Sequence, residues 1–171
     1  MVDIAAPTSS EWERFKTLRL EALRTEPAAF GSRYADEVTW SDRRWQEMVA
    51  SFGHEMATSM ALFARCADET VGLVGGYCET TGTWRVVSLY VRPEFRGAGI
   101  GSALLREVVQ RIRRHAPNCD VELLVNADNL RVVELYRRHG FAIVETLRDQ
   151  RLGDGRLHDE HRMTLADTDA T

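Results

Sequence analysis

Lysine is almost absent from this chain. Of its 22 basic residues only Lys16 is not arginine, a skew in which we read no function. Cysteine is scarce as well. Cys66, Cys78 and Cys119 are odd in number, widely spaced and form no CxxC. That pattern speaks against a disulfide framework and a zinc site, and it fits reduced thiols in a cytoplasmic protein. No apolar run is long enough for a bilayer-spanning helix. The first residues, MVDIAAPTSS, have neither the basic nor the apolar region of a signal peptide. An excess of basic charge is missing too. The net charge is −4 and the isoelectric point about 5.8, which disfavours a nucleic-acid partner.

What remains is ordinary globular composition: 171 residues, 44% hydrophobic and 28% charged. It excludes a disordered or fibrous chain. We expect one domain over residues 1–166, followed by a small, polar and frayed tail over 167–171. Val2–Ala6 reads as a short strand. Ser10 and Glu13 read as a capping box for a helix that carries Trp12, Phe15, Leu18 and Ala22 on one face and runs to about Thr25. Pro27 ends it, and Ala28–Thr39 is read as a loop. Ser41 caps a second helix bearing Trp45, Met48 and Val49. Met60–Arg65, Thr70–Glu79 and Trp84–Val91 are strands joined by short turns, an antiparallel meander. A third helix has Ile100, Ala103, Leu104, Val108 and Ile112 on one face. Val121–Val125 is a strand, and Asn129–His139 a helix stopped by Gly140. Phe141–Arg148 and His158–Leu165 are strands of a hairpin turning at Gly153-Asp154-Gly155. The order β-α-α-β-β-β-α-β-α-β-β predicts an α/β (α+β) fold: a mixed sheet of about seven strands with helices on both faces.

The segment Arg96-Gly97-Ala98-Gly99-Ile100-Gly101-Ser102 ends a strand region and opens a helix. Three glycines leave backbone N–H groups free to converge, and the helix dipole adds roughly half a positive charge. This is an anion site suited to a diphosphate. A Walker A loop is excluded because no lysine follows the last glycine. A dinucleotide-binding GxGxxG fails because Ser102 or Leu104 occupies the third glycine position, and because a meander precedes the turn. The pattern Arg/Gln-x-x-Gly-x-Gly, read as Arg96, Gly99 and Gly101, fits without mismatch.

With that loop, the chain resembles the GNAT family of acyl-CoA-dependent N-acetyltransferases. A second family stretch, Asn-x-x-Ala-x-x-Leu-Tyr-x-x-x-Gly-Phe, resembles Asn129–Phe141, with Val132 in place of the usual alanine. The order of elements is similar across nearly the whole chain. The resemblance implies the GNAT-like fold and transfer of the acetyl group of acetyl-CoA, as co-substrate, to a primary amine of a small-molecule acceptor by direct attack in a ternary complex. It implies a diphosphate held by backbone groups of Arg96, Gly97, Ala98, Gly99, Ile100, Gly101 and Ser102, with Arg92 and Arg96 adding charge. The pantetheine arm is expected along Leu89, Tyr90 and Val91, at a splay whose far side is Val121–Val125. Tyr136 is implied as general acid toward the departing thiolate. Asn129 either bonds the arm or caps its helix.

The base that deprotonates the amine is less legible, and Glu79, Glu122 or a water chain are the candidates. Phe30 and Tyr34 are expected to line the acceptor side, walled by the first two helices and the Asp149–His158 hairpin. Glu37, Asp159 or Glu160 are candidates for recognising an ammonium. His158-x-x-His161 would put its imidazoles on opposite faces of a strand, so no metal is expected. Two other readings stay open: acetylation of a protein N-terminus or lysine, and a non-catalytic acyl-CoA-binding module. The sequence is silent on oligomeric state and leaves a homodimer through sheet edges or helices open.

Overall fold

Apolar residues repeat every second position in some segments and every third or fourth in others. In the computed structural model, which describes residues 2–52 and 58–166, those segments become seven strands and five helices. They are β1 (Val2–Ala5), α1 (Trp12–Thr25), α2 (Tyr34–Glu37), α3 (Asp42–Ala50), β2 (Ser59–Cys66), β3 (Glu69–Cys78), β4 (Trp84–Val91), α4 (Ile100–His115), β5 (Val121–Asn126), α5 (Leu130–Arg138), β6 (Phe141–Arg151) and β7 (Leu157–Leu165). The strands form one sheet in the order β1-β2-β3-β4-β5-β7-β6. All neighbours run antiparallel except β4 and β5, which are parallel. The mixed α/β sheet of seven strands is as expected. The frayed tail expected over 167–171 lies outside the described residues.

Two apolar layers sandwich the sheet. On one face Leu104, Leu105, Val108 and Ile112 of α4 and Val133 of α5 pack on Trp84, Val86, Val121, Leu123 and Met163. On the other, Phe15, Leu18, Ala22 and Leu23 of α1 and Trp45 and Val49 of α3 pack on Ala61, Phe63, Leu73 and Tyr90. Alternation along β4 sends Trp84 and Val86 to the first layer and Arg85 to the opposite face.

Three local expectations are corrected. The capping box lies two residues earlier than Ser10 and Glu13. Glu11 takes the Thr8 N–H at 2.8 Å, and a 3-10 turn over Ser9–Glu11 leads into α1. The loop after Pro27 contains a helical turn, α2, too short to show periodicity. The last hairpin is longer than read, with β6 reaching Arg151 and β7 starting at Leu157.

The tip of that hairpin docks on the loop after α1. The Gly153 N–H donates to the Phe30 carbonyl at 2.7 Å. A side chain at 153 has no room: a Cβ there would lie 2.4 Å from the Ser32 carbonyl oxygen and 2.7 Å from that of Pro27. Gly153→Ala is therefore expected to destabilise the fold by about 1–3 kcal/mol. Thermal melting should fall by about 2–4 °C for each kcal/mol lost. An unchanged melting temperature would show that this contact is not made.

Candidate active site

The site begins with a pairing that stops early. β4 and β5 are in register only at Trp84–Val121, Arg85–Glu122 and Val86–Leu123. Past those three pairs the parallel strands separate. On its other edge β4 carries a bulge: Leu73 of β3 pairs with Tyr90 and Gly75 with Val87, so Val74 stands opposite both Ser88 and Leu89. Ser88 takes up the extra residue with φ of 60°. A bulge next to a splay turns backbone donors and acceptors out of the ladder.

Those groups face a cleft of about 390 Å³. Leu89, Tyr90 and Val91 form one side. Val132, Leu135 and Asn129 of the α5 region form another, and Ala29 and Phe30 close the end. The floor is the glycine turn. Gly97 and Gly99 both have φ of 80–85°, and a Cβ on either would meet nothing within 4 Å. Glycine is required there by backbone conformation, not by space. Gly99 starts α4, and the first i→i−4 bond runs from the Ala103 N–H to its carbonyl at 3.0 Å. The N–H groups of Ile100, Gly101 and Ser102 precede that bond and carry the positive end of the dipole. Arg96, Arg131 and Arg138 also line the cleft, against Glu26 alone among acidic residues. The arrangement offers strand backbone along one side and a helix N-terminus with arginines at the floor, chemistry able to take an extended ligand with an anionic end.

Other side chains divide by partner. Arg96 is braced, its Nε donating to the Val91 carbonyl at 2.9 Å and its guanidinium pairing with Glu26 at 2.8 Å. Arg92 does not line the cleft. Glu21 and Glu69 hold it. Asn129 occupies the N-cap position of α5 without a side-chain cap bond, and it lines the cleft. Ala98 sits in the glycine turn but is not part of the lining. Tyr136 follows the lining residue Leu135, yet its ring is buried, edge-on to Phe141 at 6.0 Å. Burial drives its phenol well above the ordinary range, so the proton stays on at all physiological pH. Phe30 is in the lining. Tyr34 is not, and packs toward the α1–α3 layer.

Glu79 and Glu122 lie outside the cleft. Both face Arg85, at 2.9 and 3.7 Å, and Glu122 also accepts from Arg162 at 2.8 Å and from Thr164 at 3.3 Å. Among the histidines, His158 bonds Asp154 at 2.8 Å and His161 bonds Thr146 at 2.9 Å.

Sequence reasoning missed a buried ion pair beside the bulge. Arg19 of α1 grips Glu37 of α2 with two bonds, Nε to Oε2 at 2.9 Å and Nη2 to Oε1 at 2.7 Å. Its third nitrogen, Nη1, donates to the Ser88 hydroxyl at 2.8 Å, and the guanidinium lies 5.4 Å from the Phe30 ring centre. The two side chains are only 12% and 5% exposed. One fork thus ties α1, α2 and the Phe30 loop to the strained residue of β4. Nothing in sequence distinguishes Arg19 from the chain's many other arginines.

Comparison with known proteins places this geometry. The model of the acetyltransferase (GNAT) family matches residues 13–141. Mycothiol acetyltransferase of Mycolicibacterium gilvum (strain PYR-GCK) is 28% identical over 158 residues, 85% of this chain and 51% of that protein. An N-acetyltransferase of Methanocaldococcus jannaschii, MJ1207, uncharacterised by its own description, is 35% identical over 60 residues, 35% of this chain and 26% of that protein. The chain thus spans about half or less of the length of these curated relatives. Among solved structures, yncA of Salmonella typhimurium, determined with its cofactor acetyl-CoA, superposes with a TM-score of 0.79 at 16% identity, over 100% of this chain and 99% of that one. At such identity the likeness is one of fold.

Removing the charge of Glu37 would strand a buried guanidinium. Glu37→Gln is expected to destabilise the protein by about 3–5 kcal/mol, read as a lower midpoint in urea at constant slope. A loss below about 1 kcal/mol, the range of exposed pairs, would show that Arg19 is solvated.

Proposed function

Since the chain belongs to the GNAT acetyltransferase family, we propose that it transfers the acetyl group of acetyl-CoA to a primary amine of a small-molecule acceptor. The observation that carries this reading is the conjunction of the β4–β5 splay with the glycine turn at the head of α4. The pantetheine amides would pair with Leu89–Val91 as an added strand. The diphosphate would sit on the N–H groups of Gly97–Ser102, with Arg96 exchanging part of its bond to Glu26 for phosphate.

Seated this way, the thioester carbonyl would lie near the bulge, where the backbone N–H of the lining residue Leu89 could stabilise the developing oxyanion. Bringing acceptor and thioester together in one complex supplies the orientation that a bimolecular encounter lacks. The nitrogen attacks the carbonyl carbon, the C–S bond breaks and CoA leaves as thiol. Tyr136 is assigned the proton donation to sulfur. The assignment rests on its place on α5 beside the lining residue Leu135; burial raises its phenol, which keeps the proton on and makes it a weaker acid than a free tyrosine.

A small-molecule acceptor is favoured by the enclosure of the site beyond the cleft. The Gly153 tip is bonded to the Phe30 carbonyl, so loop and hairpin meet, and Asn126 at the end of β5 donates its Nδ2 to the Ala28 carbonyl at 3.0 Å. A protein segment would need an open groove there.

Two measurements test the reading. Calorimetric titration with coenzyme A should give saturable binding, and acetyl-CoA with a panel of amines should release thiol in proportion to acetylated product. Binding without turnover on any amine would leave a non-catalytic module, and absence of binding would end the proposal. Tyr136→Phe should lower kcat by about 100-fold to 10,000-fold at nearly unchanged acetyl-CoA affinity. Unchanged kcat would remove Tyr136 from the acid role.

A further inference from the structure

The acceptor side of the sheet is rich in carboxylates, and almost all are already engaged. Glu37 is held by Arg19. Asp159 is held by Arg148 and the Asp149 N–H. Glu79 pairs with Arg85, and Glu122 with Arg162. Asp154 takes His158, Glu21 takes Arg92 and the Tyr90 hydroxyl, and Glu26 takes Arg96. Glu160 is different. It is half-buried on β7, and among the described residues it is the one carboxylate withdrawn from solvent that accepts no hydrogen bond and forms no ion pair.

Register places this side chain. Glu160 stands opposite Asn126 on β5 and Leu147 on β6. Met163, three positions along the same strand, is in the core beneath α4 and α5. An odd spacing on a regular strand puts Glu160 on the other face. Asn126, its partner across the ladder, donates to the Ala28 carbonyl at 3.0 Å, and Ala29 and Phe30 close the cleft. Asn126 is also three residues beyond Leu123, the last β5 residue paired with β4. Glu160 therefore lies on the face walled by the Pro27–Phe30 turn and the β6–β7 hairpin, at the level where β5 has left β4; like Glu79 and Glu122 it stands outside the cleft lining itself.

We propose that Glu160 receives the positively charged end of the acceptor amine and takes its proton; the assignment rests on the acetyl-transfer reading above. A partly desolvated anion without a partner is costly, and an ammonium supplies the missing partner. Burial also raises the carboxyl above its ordinary range, opposed by the charges of Arg85 and His158, which makes it a better proton acceptor than an exposed glutamate. Glu79 and Glu122 have their oxygens tied to guanidinium groups and lack that freedom. One proton of the ammonium passes to the Glu160 carboxylate. The freed lone pair forms the C–N bond at the thioester carbonyl carbon, and the C–S bond breaks. The thiolate takes its proton from Tyr136, which is reprotonated by the second proton released from nitrogen, and Glu160 returns its own proton to water.

The test compares wild type with Glu160→Gln, which keeps the shape and removes the charge, each loaded with coenzyme A and titrated with 1,4-diaminobutane. Wild type is expected to bind the dication, and Glu160→Gln to bind it about tenfold more weakly or worse. Acetyl-CoA affinity should be equal in the two. Where wild type turns over this diamine, kcat/KM in the variant should drop by about 100-fold or more. Glu160→Asp, which keeps the charge, should retain diamine binding within about threefold, and it serves alone if Glu160→Gln does not fold. Equal diamine binding by wild type and Glu160→Gln, binding by neither, or collapse of binding in Glu160→Asp would overturn the assignment. The failures separate: loss of coenzyme A binding in wild type sinks the transfer reading, whereas intact coenzyme A binding with Glu160-independent diamine binding sinks Glu160 alone.

Discussion

Three backbone pairs hold β4 to β5, and the site depends on there being no fourth. A parallel ladder continued past Val86 and Leu123 would consume the main-chain groups of Leu89–Val91 and close the sheet. Instead the strands diverge, and the bulge at Ser88 bends β4 away on its other side. The divergence persists because each strand is anchored independently. β4 is pinned by Trp84 and Val86 beneath α4 and by Tyr90 beneath α1, while β5 is held along its length by β7. An opening of this kind would be filled by water or paired away if the flanking layers did not impose it.

The second organising feature is the use of arginine where other proteins mix arginine and lysine. With a single lysine, every buried or half-buried carboxylate that is neutralised by a long cation is neutralised by a guanidinium, whose fork can take two acceptors and keep a third bond in hand. Arg19 shows the consequence: two bonds to Glu37 and one to Ser88 link three elements at the point where β4 is strained. Arg85 spans Glu79 and Glu122 in the same manner, and Arg162 joins Glu122 to Glu145. Against this background an unpartnered, half-buried Glu160 stands out, because the fold satisfies its other enclosed acids so consistently.

The wall at the Phe30 end of the cleft has a common cause with the stability of the fold. The loop after α1 carries Phe30 to the end of the cleft, and it is held there by the Gly153 tip and by Asn126. The contacts that close this end of the cleft are therefore also contacts between distant parts of the chain; on the proposed reading the loop and hairpin would set acceptor selectivity, and β4 and α4 would hold the cofactor.

Periodicity and local chemistry sufficed to locate β4 and the glycine turn. Trp84–Val91 alternates, and Gly97, Gly99 and Gly101 lie where a strand gives way to a helix, because these features are encoded within a few neighbouring residues. The same holds for the stop at Gly140 and the cap at Ser41, whose hydroxyl accepts from the Arg44 N–H at 3.3 Å. Helix α2 could not be read, since four residues show no period and its Glu37 is fixed by a partner 18 positions away. The roles of the acids were equally illegible: Glu37, Glu79, Glu122, Asp159 and Glu160 look alike in a row of letters. Which of them meets a guanidinium and which is left alone is decided by register across β5, β6 and β7 and by long-range contacts, for an ion pair depends on distances in space that sequence separation does not fix.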